Sequence, residues 1–130
     1  MVAKGLGRYR HNQLMTASPG EILLSLYDGA LRFAQQARVA MLAGKVAEKG
    51  VAIGRVIAIV SEFERTLNHD RAPALCDQLD RLYRYLRERL LLASAKLEVA
   101  TLDEVIAHLS GLRDSWQTAV RGQSASSANP

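Results

Sequence analysis

From Ile22 to Ala37, apolar side chains recur every three or four residues, directly behind a helix-start signal. The signal is Ser18-Pro19-Gly20-Glu21. Ser18 is placed to cap, Pro19 suits the first helical position, and Glu21 stands three residues after the cap. The pattern predicts that the Ser18 oxygen accepts from the backbone N–H of Glu21 while the Glu21 carboxylate reaches back to the N–H of Ser18. Losing such a cap typically costs about 1 kcal/mol. Leu23, Leu26, Tyr27, Ala30, Phe33 and Ala37 form the stripe, with Ile22 and Ala34 beside it. This spacing lays one face of a helix on a core. No catalytic group lies on that face.

The rest of the chain repeats the pattern. The first helix is predicted from about Pro19 to Ala43, with Gly44 as its left-handed cap. A second, from about Val46 to Leu67, has the stripe Ile53, Val56, Ile57, Val60, Phe63 and Leu67. Ile59 and Ala52 lie off that stripe, so this helix is apolar over more than half its circumference. It is either the most enclosed helix of a bundle or one that shows an apolar strip to a partner. Gly50 and Gly54 on it would admit a close backbone, from inside the bundle or from outside.

Asn68-His69-Asp70-Arg71 reads as a tight connection. A third helix is predicted from Pro73 to about Ala95, with Tyr85, Leu91 and Leu92 off its stripe of Leu75, Leu79, Leu82, Tyr83, Leu86, Leu90 and Ala93. Thr101-Leu102-Asp103-Glu104 repeats the capping-box pattern and is expected to open a fourth helix. Its stripe is Leu102, Val105, Ile106, Leu109, Leu112, Trp116 and Val120. No sustained period-two alternation argues for strands. The expected fold is therefore all-α, an antiparallel up-down-up-down four-helix bundle over residues 18–121. Residues 1–17 form a leader that docks on it as a short capping segment, and residues 122–130 a tail without anchors, expected to be disordered.

The chemistry that such a bundle could house finds no residues to support it. A di-iron site needs inward carboxylates and Glu-x-x-His pairs; Glu104 and His108 are four apart and off the stripe. His11, His69 and His108 fall in separate segments. Cys76 is the only cysteine, which rules out an internal disulfide and reads as a structural thiol. No phosphate loop, nucleophile elbow or zinc pattern occurs. No catalytic, metal or cofactor residue is assigned, and no enzymatic activity is expected. The formal charge of +4 would suit nucleic acid, but Arg81, Arg84, Arg87 and Arg89 share their helix with Asp77, Asp80 and Glu88, as a solvated face does. The N-terminus lacks the apolar run of a secretory signal, and no aliphatic run is long enough to span a bilayer. A cytoplasmic location without membrane insertion follows as the expectation.

An ordered set of motifs adds to this. Tyr9, Asn12-Gln13, Thr16-Ala17-Ser18-Pro19-Gly20-Glu21 and Leu26-Tyr27-Asp28-Gly29-Ala30 resemble the start of FliS, the bacterial flagellin-specific export chaperone. The resemblance continues through Glu62-Phe63-Glu64-Arg65-Thr66-Leu67, Leu82-Tyr83-Arg84-Tyr85-Leu86 with Leu90 and Ala93, and Leu112-Arg113-Asp114-Ser115-Trp116. It covers about residues 8 to 121. Arg84 stands where the family usually has an acidic residue, and Ser94 where it usually has Asn. The resemblance implies a bundle that binds the disordered C-terminal segment of flagellin in the cytosol, prevents premature polymerisation and assists type III flagellar secretion. It implies flagellin as partner, with the export gate and regulatory proteins as further candidates. It also implies that the leader around Tyr9 covers part of the binding surface when flagellin is absent. Tyr9, Leu14, Ile53, Ile57, Ile59, Tyr85, Leu86 and Leu92 are the candidate partner contacts. The alternative is a basic helical adaptor or regulatory protein that binds nucleic acid or another protein.

Overall fold

A computed structural model describes the backbone of residues 18–128 and the side chains of residues 18–122. Four helices account for nearly all of it: α1 (Pro19–Leu42), α2 (Val46–Arg65), α3 (Pro73–Lys96) and α4 (Val99–Ala128). No strand occurs among the described residues. Short links force sequential helices to lie side by side, and each packs on its neighbours in the chain, with α4 returning to α1. The result is the expected four-helix bundle.

Sequence chemistry sets the ends of α1. Ser18 is extended (φ −66°, ψ 159°), and its Oγ accepts the N–H of Glu21 at 3.2 Å. The return bond from the Glu21 carboxylate is absent among the described residues. At the other end Gly44 has φ +70°, the left-handed conformation a glycine adopts without a steric cost. There the N–H of Lys45 donates to Ala40 O at 2.8 Å and the N–H of Gly44 to Met41 O at 3.2 Å, closing the last turn in a Schellman motif.

The start of α4 differs from the expectation. The helix begins at Val99, and Thr101 already lies within it, buried, with its hydroxyl donating to Glu98 Oε2 at 2.7 Å. The turn before it is made by Leu97, whose φ of 55° is left-handed without a glycine. Its sequence therefore gives no stop signal at that position. The C-terminal boundary differs as well. The backbone stays helical to Ala128, because an exposed Gly122 costs a helix only about 1 kcal/mol and the residues beyond it do not oppose helix.

Tyr27 of α1, Phe63 of α2 and Tyr83 of α3 meet at the centre. The Tyr27 and Phe63 rings stack at 4.3 Å between centroids, and Phe63 lies 5.6 Å from Tyr83. The Tyr27 and Tyr83 hydroxyls, 2.7 Å apart, hydrogen-bond across the bundle. Burial first, then the partner hydroxyl, pushes the Tyr27 phenol far above its ordinary value; burial also raises Tyr83. Both rings stay neutral and fixed. Ala30, Ala34 and Ala37 line the buried face of α1 and let its neighbours approach closely. Cys76 is buried, with its thiol 3.2 Å from Asn68 O, in keeping with a structural role.

Candidate functional site

Three of the four seams between neighbouring helices are bridged by ion pairs. Arg38–Asp103 (2.7 Å) and Arg113–Asp28 (2.9 Å) tie α1 to α4. Arg87–Glu64 (2.7 Å) ties α3 to α2, and Arg89–Glu104 (3.0 Å) ties α3 to α4. Among the described residues no such pair crosses the α1–α2 seam. It opens instead into a groove of about 910 Å³.

Four alanines line the groove: Ala40 of α1 and Ala52 of α2, both buried, and Ala43 and Ala47, exposed where the two helices join. Val39 and Val51 wall it, 66% and 58% exposed, values that a core-serving valine would not show. Leu42 and Val46 are exposed at the same end of the two helices. On α2 the solvent face continues through Gly50, Gly54 and Ala58, all exposed and uncharged. A Cβ built on Gly50 or Gly54 would meet nothing within 4 Å, so no internal packing demands either glycine. Each costs an α-helix about 0.5–1 kcal/mol relative to alanine. Of the two readings of α2, its surface supports the uncovered apolar strip, while its inner face buries Ala52, Ile53, Val56, Val60 and Phe63 in the core.

The rim is basic. The Arg32 guanidinium lies 5.8 Å and that of Arg55 5.2 Å from the centroid of the Phe33 ring, one from each helix. Neither has a carboxylate partner among the described residues. Arg38, Arg65, Arg84, Arg87, Arg89 and Arg113 each do have one. Of the α3 arginines, Arg84, Arg87 and Arg89 are engaged by acids of this chain and Arg81 alone has none among the described residues, so α3 presents no continuous basic stripe of the kind a phosphate backbone needs.

A second polar cluster lies on the α3–α4 face. The Tyr85 hydroxyl donates to Glu104, Arg89 reaches the same carboxylate, and His108 approaches it at 3.9 Å. The Tyr85 bond first, helped by Arg89, holds the Glu104 carboxyl below its usual range. The same bond raises Tyr85. Among the described residues no group of three or more His, Cys, Asp or Glu side chains could hold a metal ion. No helix among them is long and apolar enough to cross a membrane.

The candidate contact residues separate under this geometry. Ile53 and Leu86 are buried in the core, 2% and 0% exposed, and offer no free surface. Helix periodicity places them on the inward faces of α2 and α3, so these two positions are corrected to core. Ile57 and Ile59 are half-buried and rest against that core, and Leu92 is half-buried on α3. Tyr85 is 40% exposed but engaged with Glu104. Tyr9 and Leu14 lie outside the described residues. Val39 and Val51, the walls of the groove, were not singled out by sequence. The available signal was their position off the apolar stripes of their helices.

The chain is thus a four-helix bundle with an open, largely apolar seam between α1 and α2, flanked by Arg32 and Arg55. Comparisons with known proteins agree with that architecture. The family described as "Flagellar protein FliS" matches residues 2–123. The flagellar secretion chaperone FliSB of Pseudomonas aeruginosa is 36% identical over 104 residues, covering 80% of this chain and 82% of its own. The flagellar secretion chaperone FliS of Bacillus subtilis is 31% identical over 115 residues, covering 88% of this chain and 85% of its own. A crystal structure described as a flagellar chaperone from bacteria superposes with a TM-score of 0.75 at 20% identity, over 94% of this chain and 99% of that one, a likeness of fold. The chain belongs to the FliS family of flagellar secretion chaperones.

Proposed function

We propose that this chaperone holds the disordered C-terminal segment of flagellin in the cytoplasm, prevents its premature polymerisation and assists its delivery to the type III flagellar export gate. The single observation that supports flagellin capture most is the α1–α2 groove, an apolar seam left open where every other seam is bridged by charge. A filament subunit must expose apolar helix faces for its neighbours. A groove between two helices accepts such a face as the ridge of a third helix. Folding the segment onto the chaperone typically buries about 1,000–3,000 Å² and spends roughly 2–5 kcal/mol on ordering. The net affinity can then stay within a range that permits release. Capture and release by this route need no covalent step and no cofactor; the role is non-enzymatic.

Isothermal titration of the full chain with the C-terminal segment of flagellin from the same organism tests the reading. A one-to-one complex with a negative heat-capacity change is expected, because apolar area leaves water on binding. An absence of heat and of co-migration in gel filtration at tens of micromolar would contradict it.

A further inference from the structure

The groove is lined by small apolar side chains, with an unpaired arginine on each bank and the Lys45–Glu48 pair at one end, and that combination restricts what can lie in it. This inference rests on the proposed capture of flagellin and specifies the chemistry of the captured segment. From the geometry we infer that the occupant is an amphipathic helix with small side chains on its buried face and a carboxylate on each flank, pairing with Arg32 and Arg55.

The small side chains of Ala40, Ala43, Ala47 and Ala52 along the groove bring a docked backbone close, which a helix with bulky side chains on that face could not match. Arg32 stands on the α1 bank and Arg55 on the α2 bank. Each is held against Phe33 between them rather than by an acid. A guanidinium resting on an aromatic face is partly ordered before any partner arrives, so less side-chain entropy is lost when a carboxylate binds. Its fork geometry accepts a carboxylate through two N–H donors. Elsewhere in the bundle, cross-helix arginines meet an acid of this same chain. At this seam the carboxylate that lines the groove, Glu48, faces Lys45 at 3.9 Å, and Arg32 and Arg55 meet no acid among the described residues, so their complementary charge comes from outside. A second copy of the chain would have to present a flanking acidic pair of its own; an acidic amphipathic helix meets the same requirement directly.

The experiment compares the full chain with the Arg32→Ala, Arg55→Ala double variant, titrated with the flagellin C-terminal segment at low and high salt. Both positions are exposed, so the variant keeps its fold, verified by its melting temperature. The double substitution is expected to weaken binding about tenfold at low salt, two exposed ion pairs' worth, and to flatten the salt dependence. Asp and Glu to Asn and Gln changes in the bound stretch of the segment should reproduce the loss and add nothing to the variant. Normal capture by the native chain with equal affinity and equal salt slope in the variant would overturn this inference and leave flagellin capture standing. Free protein that sedimented as a dimer, dissociated by the same double substitution, would assign the groove to a second copy and overturn it. No capture by the native chain would overturn both readings together.

Discussion

Replacing Val51 by Glu is expected to lower the affinity for the flagellin segment by about a hundredfold or more while the free protein melts where the native chain does. Val51 is 58% exposed on α2, so the free fold gains little from its side chain. Glu favours helix slightly more than Val, and an acid at this position sits one turn before Arg55, a favourable spacing. The free-state change should therefore stay within about 0.5 kcal/mol. In the complex the same position faces a docked apolar surface. Losing a buried valine forfeits roughly 1.5–3 kcal/mol, and a carboxylate stranded in that contact adds its desolvation. Calorimetry and thermal melts on the same preparation separate the two effects. A variant that binds normally would remove Val51 from the contact.

Leu86→Ala should show the opposite pattern. Leu86 is fully buried on α3 in the cluster around Tyr83 and Leu90. Truncation leaves a cavity costing about 3 kcal/mol, and for a domain of this size that lowers the melting temperature by roughly 10 °C. At a temperature where the variant remains folded, its affinity for the segment should match the native value. Unchanged stability together with lost binding would return Leu86 to the contact surface.

The contrast between these two positions marks what a sequence can convey. Each helix was legible from its own stripe, because periodicity is a local property and Ser18, Pro19 and Gly44 punctuate α1 with residues whose backbone preferences are strong. The start of α4 was misplaced because Thr101-x-x-Glu104 imitates a capping box while the actual turn is carried by Leu97, a residue without turn preference. The excess apolar surface of α2 was visible in its composition. Its location was not, since the groove arises only when Val39 of α1 is set opposite Val51 of α2, and that pairing is tertiary. Ile53 and Leu86 entered the candidate contacts for the converse reason. On helices with more apolar positions than one face needs, hydropathy alone does not say which residues face inward. The unpaired state of Arg32 and Arg55 was likewise hidden, because it is defined by which arginines the other seams consume.

Everything proposed for flagellin capture turns on whether the α1–α2 seam receives the segment. Methyl-detected NMR of the full chain, titrated with that segment to saturation, tests it most directly. The methyl signals of Val39, Val51, Ala43 and Ala47 are expected to shift or broaden with the stoichiometry of binding, while those of Leu86 and Leu90 stay close to their free positions. Saturated binding that leaves the four groove residues unmoved, with shifts gathered at exposed Leu75 or Leu91 instead, would contradict it.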